Sequence, residues 1–146
     1  MNISEELIVK EYIMREENEY RVPYSSEFEF YIFVKNGEVE KVKEACKKAF
    51  PDIEGFGKLC DNPLQNIKYH FVVTAALIAR YCIDGGMSHE TAYNLSDLYI
   101  NRADKAKTFS DISRLHTEMS VDYAKRMNKI GKNRIFSKPV ILSVDY

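Results

Sequence analysis

A chain of 146 residues is long enough for one domain with its own hydrophobic core, or for one domain and a tail. Hydrophobic residues at 45% exclude a disordered chain, and ten Tyr and eight Phe supply aromatic bulk where Trp is absent. A net charge of −1 excludes a polyanion or polycation as a whole, and only four Pro and six Gly suit long helices better than many-turned β structure. In chain order, residues 4–18 read as a first helix capped by Ser4, although Leu7-Ile8-Val9 and Tyr12-Ile13-Met14 also tolerate a strand. Arg21-Val22-Pro23-Tyr24 interrupts it. Ser26 stands three before Glu29, a capping-box spacing that opens a second helix with Phe30, Phe33 and Val34 on one face. Asn36-Gly37 stops that helix. Val39, Val42, Ala45, Cys46, Ala49 and Phe50 then recur at amphipathic intervals, and Pro51, Gly55 and Gly57 mark a loop.

Asn62-Pro63 predicts a helix start, with Asn as cap and Pro at the first helical position, where no N–H is needed. The helix over 63–84 is apolar nearly all round, which makes it the expected buried centre of a bundle. Gly85-Gly86 ends it. Ser88 caps a helix over 89–103 that turns Ala92, Leu95 and Tyr99 inward. Thr108 caps the last long helix, in which Phe109, Ile112, Leu115, Met119, Tyr123, Met127 and Ile130 repeat at helical spacing. Gly131 is read as its end, 132–138 as a linker, and Val140 to Tyr146 as the opening of a further helix. The expected fold is therefore all-α, a bundle of five or six antiparallel helices around the 63–84 helix. The expected division is a helical domain over 1–131 followed by 132–146.

Sites of chemistry are not apparent. His70, His89 and His116 share no ligand spacing with one another or with Cys46, Cys60 and Cys82, so neither a metal nor a cofactor is expected. His70 and His116 read as hydrogen-bonded core or rim residues. The three cysteines are odd in number and widely spaced, and no secretory signal precedes them, so reduced thiols in the cytoplasm are expected. Phosphate-binding glycine motifs are absent, and so is any nucleophile–base pattern, which argues against an enzyme. The most apolar run, Phe71 to Ala79, falls far short of the roughly 20 residues of a membrane span.

Three groups ask for partners. Arg80 follows a long apolar run and Asp97 sits among apolar neighbours on the next helix, so an ion pair across Gly85-Gly86 is expected to fix the two helices. Tyr69, Tyr81, Tyr93 and Tyr99 are candidates to line a ligand pocket inside the bundle. Charge is also uneven: residues 1–61 hold 9 basic and 14 acidic groups, residues 62–146 hold 12 and 8. Lys125, Arg126, Lys129, Lys132, Arg134 and Lys138 form a basic stretch without an acid, which suits either a solvated helix end or proximity to a polyanion.

The run from Asn62 to Val73, Leu77-Ile78-Ala79-Arg80, Gly85-Gly86 and Glu90 to Ile100 resembles the helical region that precedes the DNA-binding domain in AraC/XylS-type transcriptional regulators of the YesN sort. Pro23-Tyr24-Ser25-Ser26-Glu27, Val34-Lys35-Asn36-Gly37-Glu38 and the closing Val140 to Tyr146 fit the same pattern, so the resemblance spans roughly residues 20–146. It implies a regulatory domain that self-associates as a homodimer or receives a signal, with the basic 125–138 segment near DNA phosphates. The family's helix-turn-helix units, which would enter the major groove, have no counterpart in these 146 residues. DNA contact would then run only through such a domain. A rival reading is a sensor that binds a small-molecule effector in the bundle.

Overall fold

The computed structural model describes residues 1–18, 21, 24–48, 50 and 56–144, with side chains described as far as residue 134. Val22, Pro23, Ala49, Pro51 and Gly55 lie outside the described residues, as do Asp145, Tyr146 and the Lys138 side chain. Six helices and no strand occur among the described residues: α1 (Ile3–Glu16), α2 (Tyr24–Lys35), α3 (Val39–Ala45), α4 (Pro63–Asp84), α5 (His89–Asp104) and α6 (Phe109–Val144). The chain is all-α, as its periodicities require. None of the described helices is long and apolar enough to cross a membrane.

Most helix ends carry the chemistry expected of them. The Asn62 side chain accepts from the Gln65 amide at 2.8 Å, with Pro63 at the first helical position. Ser88 accepts from Thr91 at 3.2 Å, and Thr108 from Asp111 at 3.1 Å. Each bond satisfies an amide that the first turn leaves without a helical partner. At the end of α2, Gly37 takes φ +67°, and the amides of Gly37 and Glu38 return to the carbonyls of Val34 and Phe33. A Cβ on Gly37 would lie 2.4 Å from the backbone nitrogen of Asn128, so α2 and α6 touch main chain to main chain there. The Asn128 side-chain amide donates to the Gly37 carbonyl at 3.1 Å.

Three expectations about helix ends need correction. The cap of α1 is Asn2, whose side chain accepts from Glu5 at 2.8 Å, and Ser4 is already helical. α2 begins at Tyr24, so Ser26 lies inside its first turn and Ser26–Glu29 is not a capping box. Tyr24 packs on Phe28 one turn along, ring centroids 5.9 Å apart, a contact that favours the earlier start. Gly131 does not end α6, which runs unbroken through 132–138 to Val144. One glycine costs a helix about 1 kcal/mol and does not stop it. Beyond it, the Arg134 guanidinium donates to the Gly85 carbonyl at 3.2 Å, placing a cation against the C-terminal end of α4.

Nor is α4 buried all round. Ile67, Phe71, Thr74, Ala75, Ile78, Ala79 and Cys82 form its buried stripe, while Tyr69, Val72 and Val73 remain exposed. α4 packs against α2, α5 and α6, and those three cover one side of it. The centre is shared with α6, which also meets α2, α3 and α5 and buries Ile112, Leu115, Met119, Tyr123 and Met127. Phe109, first of that periodic series, is exposed. α1 buries no side chain, and none of the extended helix pairings involves it.

Candidate functional site

α4 organises one side of the bundle through two residues a turn apart. The Asn66 side chain accepts from the amides of Leu59 (2.5 Å) and Cys60 (3.3 Å) and donates to the Gly57 carbonyl at 3.3 Å. His70 reaches the same carbonyl through Nε2 at 2.5 Å. A carbonyl only accepts, so Nε2 carries the proton. Positions i and i+4 share a helix face, and together they pin residues 57–60 across α4.

Pinning that segment sets Phe56 parallel to His70, ring centroids 4.9 Å apart and planes 13° apart. Phe56 leans on Phe50 at 4.9 Å. Phe50 stacks on the imidazole of His116 at 4.4 Å, and Phe30 stacks on the same imidazole at 5.7 Å. The Phe50 amide donates to the Ser113 hydroxyl at 3.1 Å, which ties the ring to α6. A ladder of five rings thus runs Phe30, His116, Phe50, Phe56, His70, from α2 through α6 to α4.

The ladder borders a half-open cleft of about 440 Å³. α2 contributes Ser26, Glu27, Phe30 and Tyr31, α4 contributes His70, Val73 and Thr74, and α6 contributes His116. Arg21, Ala45, Gly57 and Leu59 complete its rim among the described residues. The volume falls in the range of small-molecule sites, and mostly apolar walls with a few polar groups are the usual composition of such sites.

The polar groups differ in how they are satisfied. The Tyr31 hydroxyl donates to Glu27 at 3.4 Å, and burial pushes its pKa above the usual tyrosine range. His116 is 6% exposed. Burial lowers its pKa to about 4, so it is a neutral imidazole at physiological pH. Neither ring nitrogen of His116 has a hydrogen-bond partner among the described residues. The sequence-based reading of His70 as a hydrogen-bonded core or rim residue agrees with its place; His116 is buried as expected, with no hydrogen bond among the described residues.

The residues singled out from sequence are dispersed. Tyr69 and Tyr93 are 45% and 43% exposed. Tyr81 stacks on Tyr31 at 5.3 Å, and Tyr99 is buried with its hydroxyl donating to Asp122 at 2.5 Å. None of the four lines the cleft. Helical geometry explains the failure: Tyr69 and Tyr81 point about 120° apart around α4, as do Tyr93 and Tyr99 around α5. Arg80 and Asp97 form no ion pair among the described residues. Arg80 donates to its own helix at the Ala76 carbonyl, 3.0 Å, and lies 5.4 Å over the ring of Tyr93. In a hairpin turning at 85–88, position 80 stands opposite 93, and Asp97 is one turn too far.

The basic stretch also divides. Arg126 pairs with Asp122 at 2.7 Å and Arg134 is spent on Gly85. Lys125, Lys129 and Lys132 share the exposed face of α6 opposite its buried stripe. No group of three or more His, Cys, Asp or Glu side chains is arranged to hold a metal ion among the described residues. Cys46 and Cys82 are buried with raised pKa values, Cys82 to about 12, the opposite of an activated thiol. Cys60 is half-buried, and its thiol faces the Asn62 carbonyl at 3.4 Å.

The cleft was missed in the sequence because its rings come from four separate segments. One signal was present: His116 is a polar residue on the apolar face defined by Ile112, Met119 and Tyr123. No family model, no curated protein and no solved structure matches this chain.

Proposed function

We propose that this chain is a non-catalytic regulatory domain of an AraC-type transcriptional regulator, working in the cytoplasm as a homodimer that receives a signal. DNA reading would belong to a helix-turn-helix domain, which these 146 residues do not carry. What supports the reading is where the resembling residues sit. Asn62 and Pro63 start α4, Gly85-Gly86 turns the chain, Ser88 starts α5 and Ala92 is buried at the hairpin contact. The motif therefore specifies a helical scaffold, as a regulatory domain needs.

The test is a titration of the chain against several duplexes at about physiological salt. Phosphate contact supplies affinity without selectivity, and groove-inserted side chains supply selectivity. With Lys125, Lys129 and Lys132 exposed along α6, the expected result is weak, salt-sensitive binding with no preference among sequences. Tight binding to one duplex alone would overturn this division of labour. Sedimentation at micromolar concentrations is expected to show a dimer.

A second reading, a small-molecule sensor, is favoured by one observation: the aromatic cleft beside His116. It is compatible with the first, since a regulatory domain needs a receiving site.

A further inference from the structure

We propose that the cleft between α2, α4 and α6 binds a small, uncharged planar aromatic molecule that carries a hydroxyl or amide edge, and that the edge is read by His116. As the receiver of a regulatory signal the cleft rests on the function proposed above; as a binding site it stands on its own geometry.

The first argument is an unmet hydrogen-bonding capacity. A buried polar group is normally paired, and leaving one unpaired costs stability. His116 is 94% buried, lines the cleft and has no hydrogen-bond partner among the described residues. Phe30 and Phe50 both stack on the imidazole, at 5.7 and 4.4 Å, so a ligand in the cleft would meet the ring at its edge. A neutral imidazole offers one donor and one acceptor. A phenol hydroxyl or a lactam edge, each able to donate and accept, complements it.

The second argument is the wall. Phe30, Phe50 and Phe56 with Tyr31 offer ring faces and edges, which select a flat aromatic body by offset or edge-to-face contact. Thr74, 8% exposed, lies among them as a further hydroxyl. The third argument is charge. Among the described residues, the cleft's charged side chains, Glu27 and Arg21, belong to exposed residues at its rim, and none at the His116 end would compensate a buried ion. The occupant is therefore neutral.

The probes are 2-naphthol, naphthalene and 2-naphthoate, titrated by fluorescence into the chain and its His116→Phe variant. Phenylalanine keeps the stack with Phe30 and Phe50 and removes both nitrogens. The expected result is saturable one-to-one binding of 2-naphthol, with 2-naphthoate at least about tenfold weaker. The preference for 2-naphthol over naphthalene should fall about tenfold in the variant, the size of one lost hydrogen bond. In the unsubstituted chain, ¹⁵N NMR should show the ring nitrogens of His116 shifting as 2-naphthol saturates, a readout that does not depend on the variant folding. No saturable binding of 2-naphthol, binding that leaves those nitrogens unmoved, a hydroxyl preference unchanged in a folded variant, or naphthoate binding as tightly as naphthol would each overturn the proposal. Such a failure leaves the DNA titration untouched, and a failed DNA titration leaves the cleft result standing, so the two readings fall separately.

Discussion

At the scale of single residues, His116 concentrates the consequences. It is neutral in the fold with a pKa near 4, held down by burial, against about 6.5 when exposed. Between those values the unfolded chain binds a proton that the folded chain refuses, so stability falls as pH drops through the window. Above about pH 6.5 the contribution is constant; by pH 4 the loss reaches roughly 3 kcal/mol. Glu27 from α2 and His70 from α4 line the same cleft. Asp84 and Asp111 act lower down. Their carboxyls are held below the usual range, by Lys35 and by the Lys107 amide respectively, so their stabilisation is lost only as pH falls through those depressed values. Denaturant midpoints measured at pH 7.5 and pH 5 are expected to differ in the wild-type chain. In His116→Phe the difference should shrink, and stability at pH 7.5 should hold or rise, because an unpaired buried imidazole is removed. An equal pH drop in both proteins would show that another group titrates.

At the scale of elements, two glycines that look alike in sequence have opposite roles. Gly37 combines φ +67° with main-chain contact to α6, so Gly37→Ala meets both backbone strain and a clash. A loss of at least about 2 kcal/mol is expected by chemical denaturation. Gly131 lies inside α6 with nothing within 4 Å of an added Cβ. There Gly131→Ala should stabilise by about 0.5–1 kcal/mol through helix propensity. Destabilisation would mean that Gly131 is a left-handed cap and that α6 ends there. The α4–α5 hairpin supplies a related test. Asp97 is exposed and forms no salt bridge among the described residues, so Asp97→Ala should change stability by less than about 0.5 kcal/mol, whereas a buried bridge would have cost several. A melt lowered by many degrees would restore the bridge.

At the scale of the whole molecule, stability resides in α2 to α6. α1 exposes Ile3, Leu7, Ile8 and Tyr12 and buries nothing, so its apolar residues contribute little of the core's burial energy. Deleting residues 1–18 is expected to leave the midpoint of unfolding and its cooperativity nearly unchanged. A large drop would show that α1 packs on the bundle in solution. The long α6 has a different position. It touches four other helices and anchors Arg134 at the α4–α5 turn, so a change in the cleft beside His116 shares one rigid element with that turn.

The helices and most of their ends follow from local residue spacing. Asn62, Ser88 and Thr108 are caps because a short polar side chain satisfies amides three residues ahead, an interaction that needs no other part of the protein. Val34, Val42, Phe71, Ala92 and Met119 are buried because helical periodicity marks them in advance. Which polar and aromatic side chains meet depends on how the helices pack. Arg80 found Tyr93 instead of Asp97 because the hairpin register sets the opposing positions. Tyr69, Tyr81, Tyr93 and Tyr99 diverged because helical angles scatter them, while Phe30, Phe50, Phe56 and His116 converged from distant segments. Local spacing encodes what lies within a turn or two of a residue. The cleft is made by helices packing across long separations, and its contacts exist only once the whole bundle has closed.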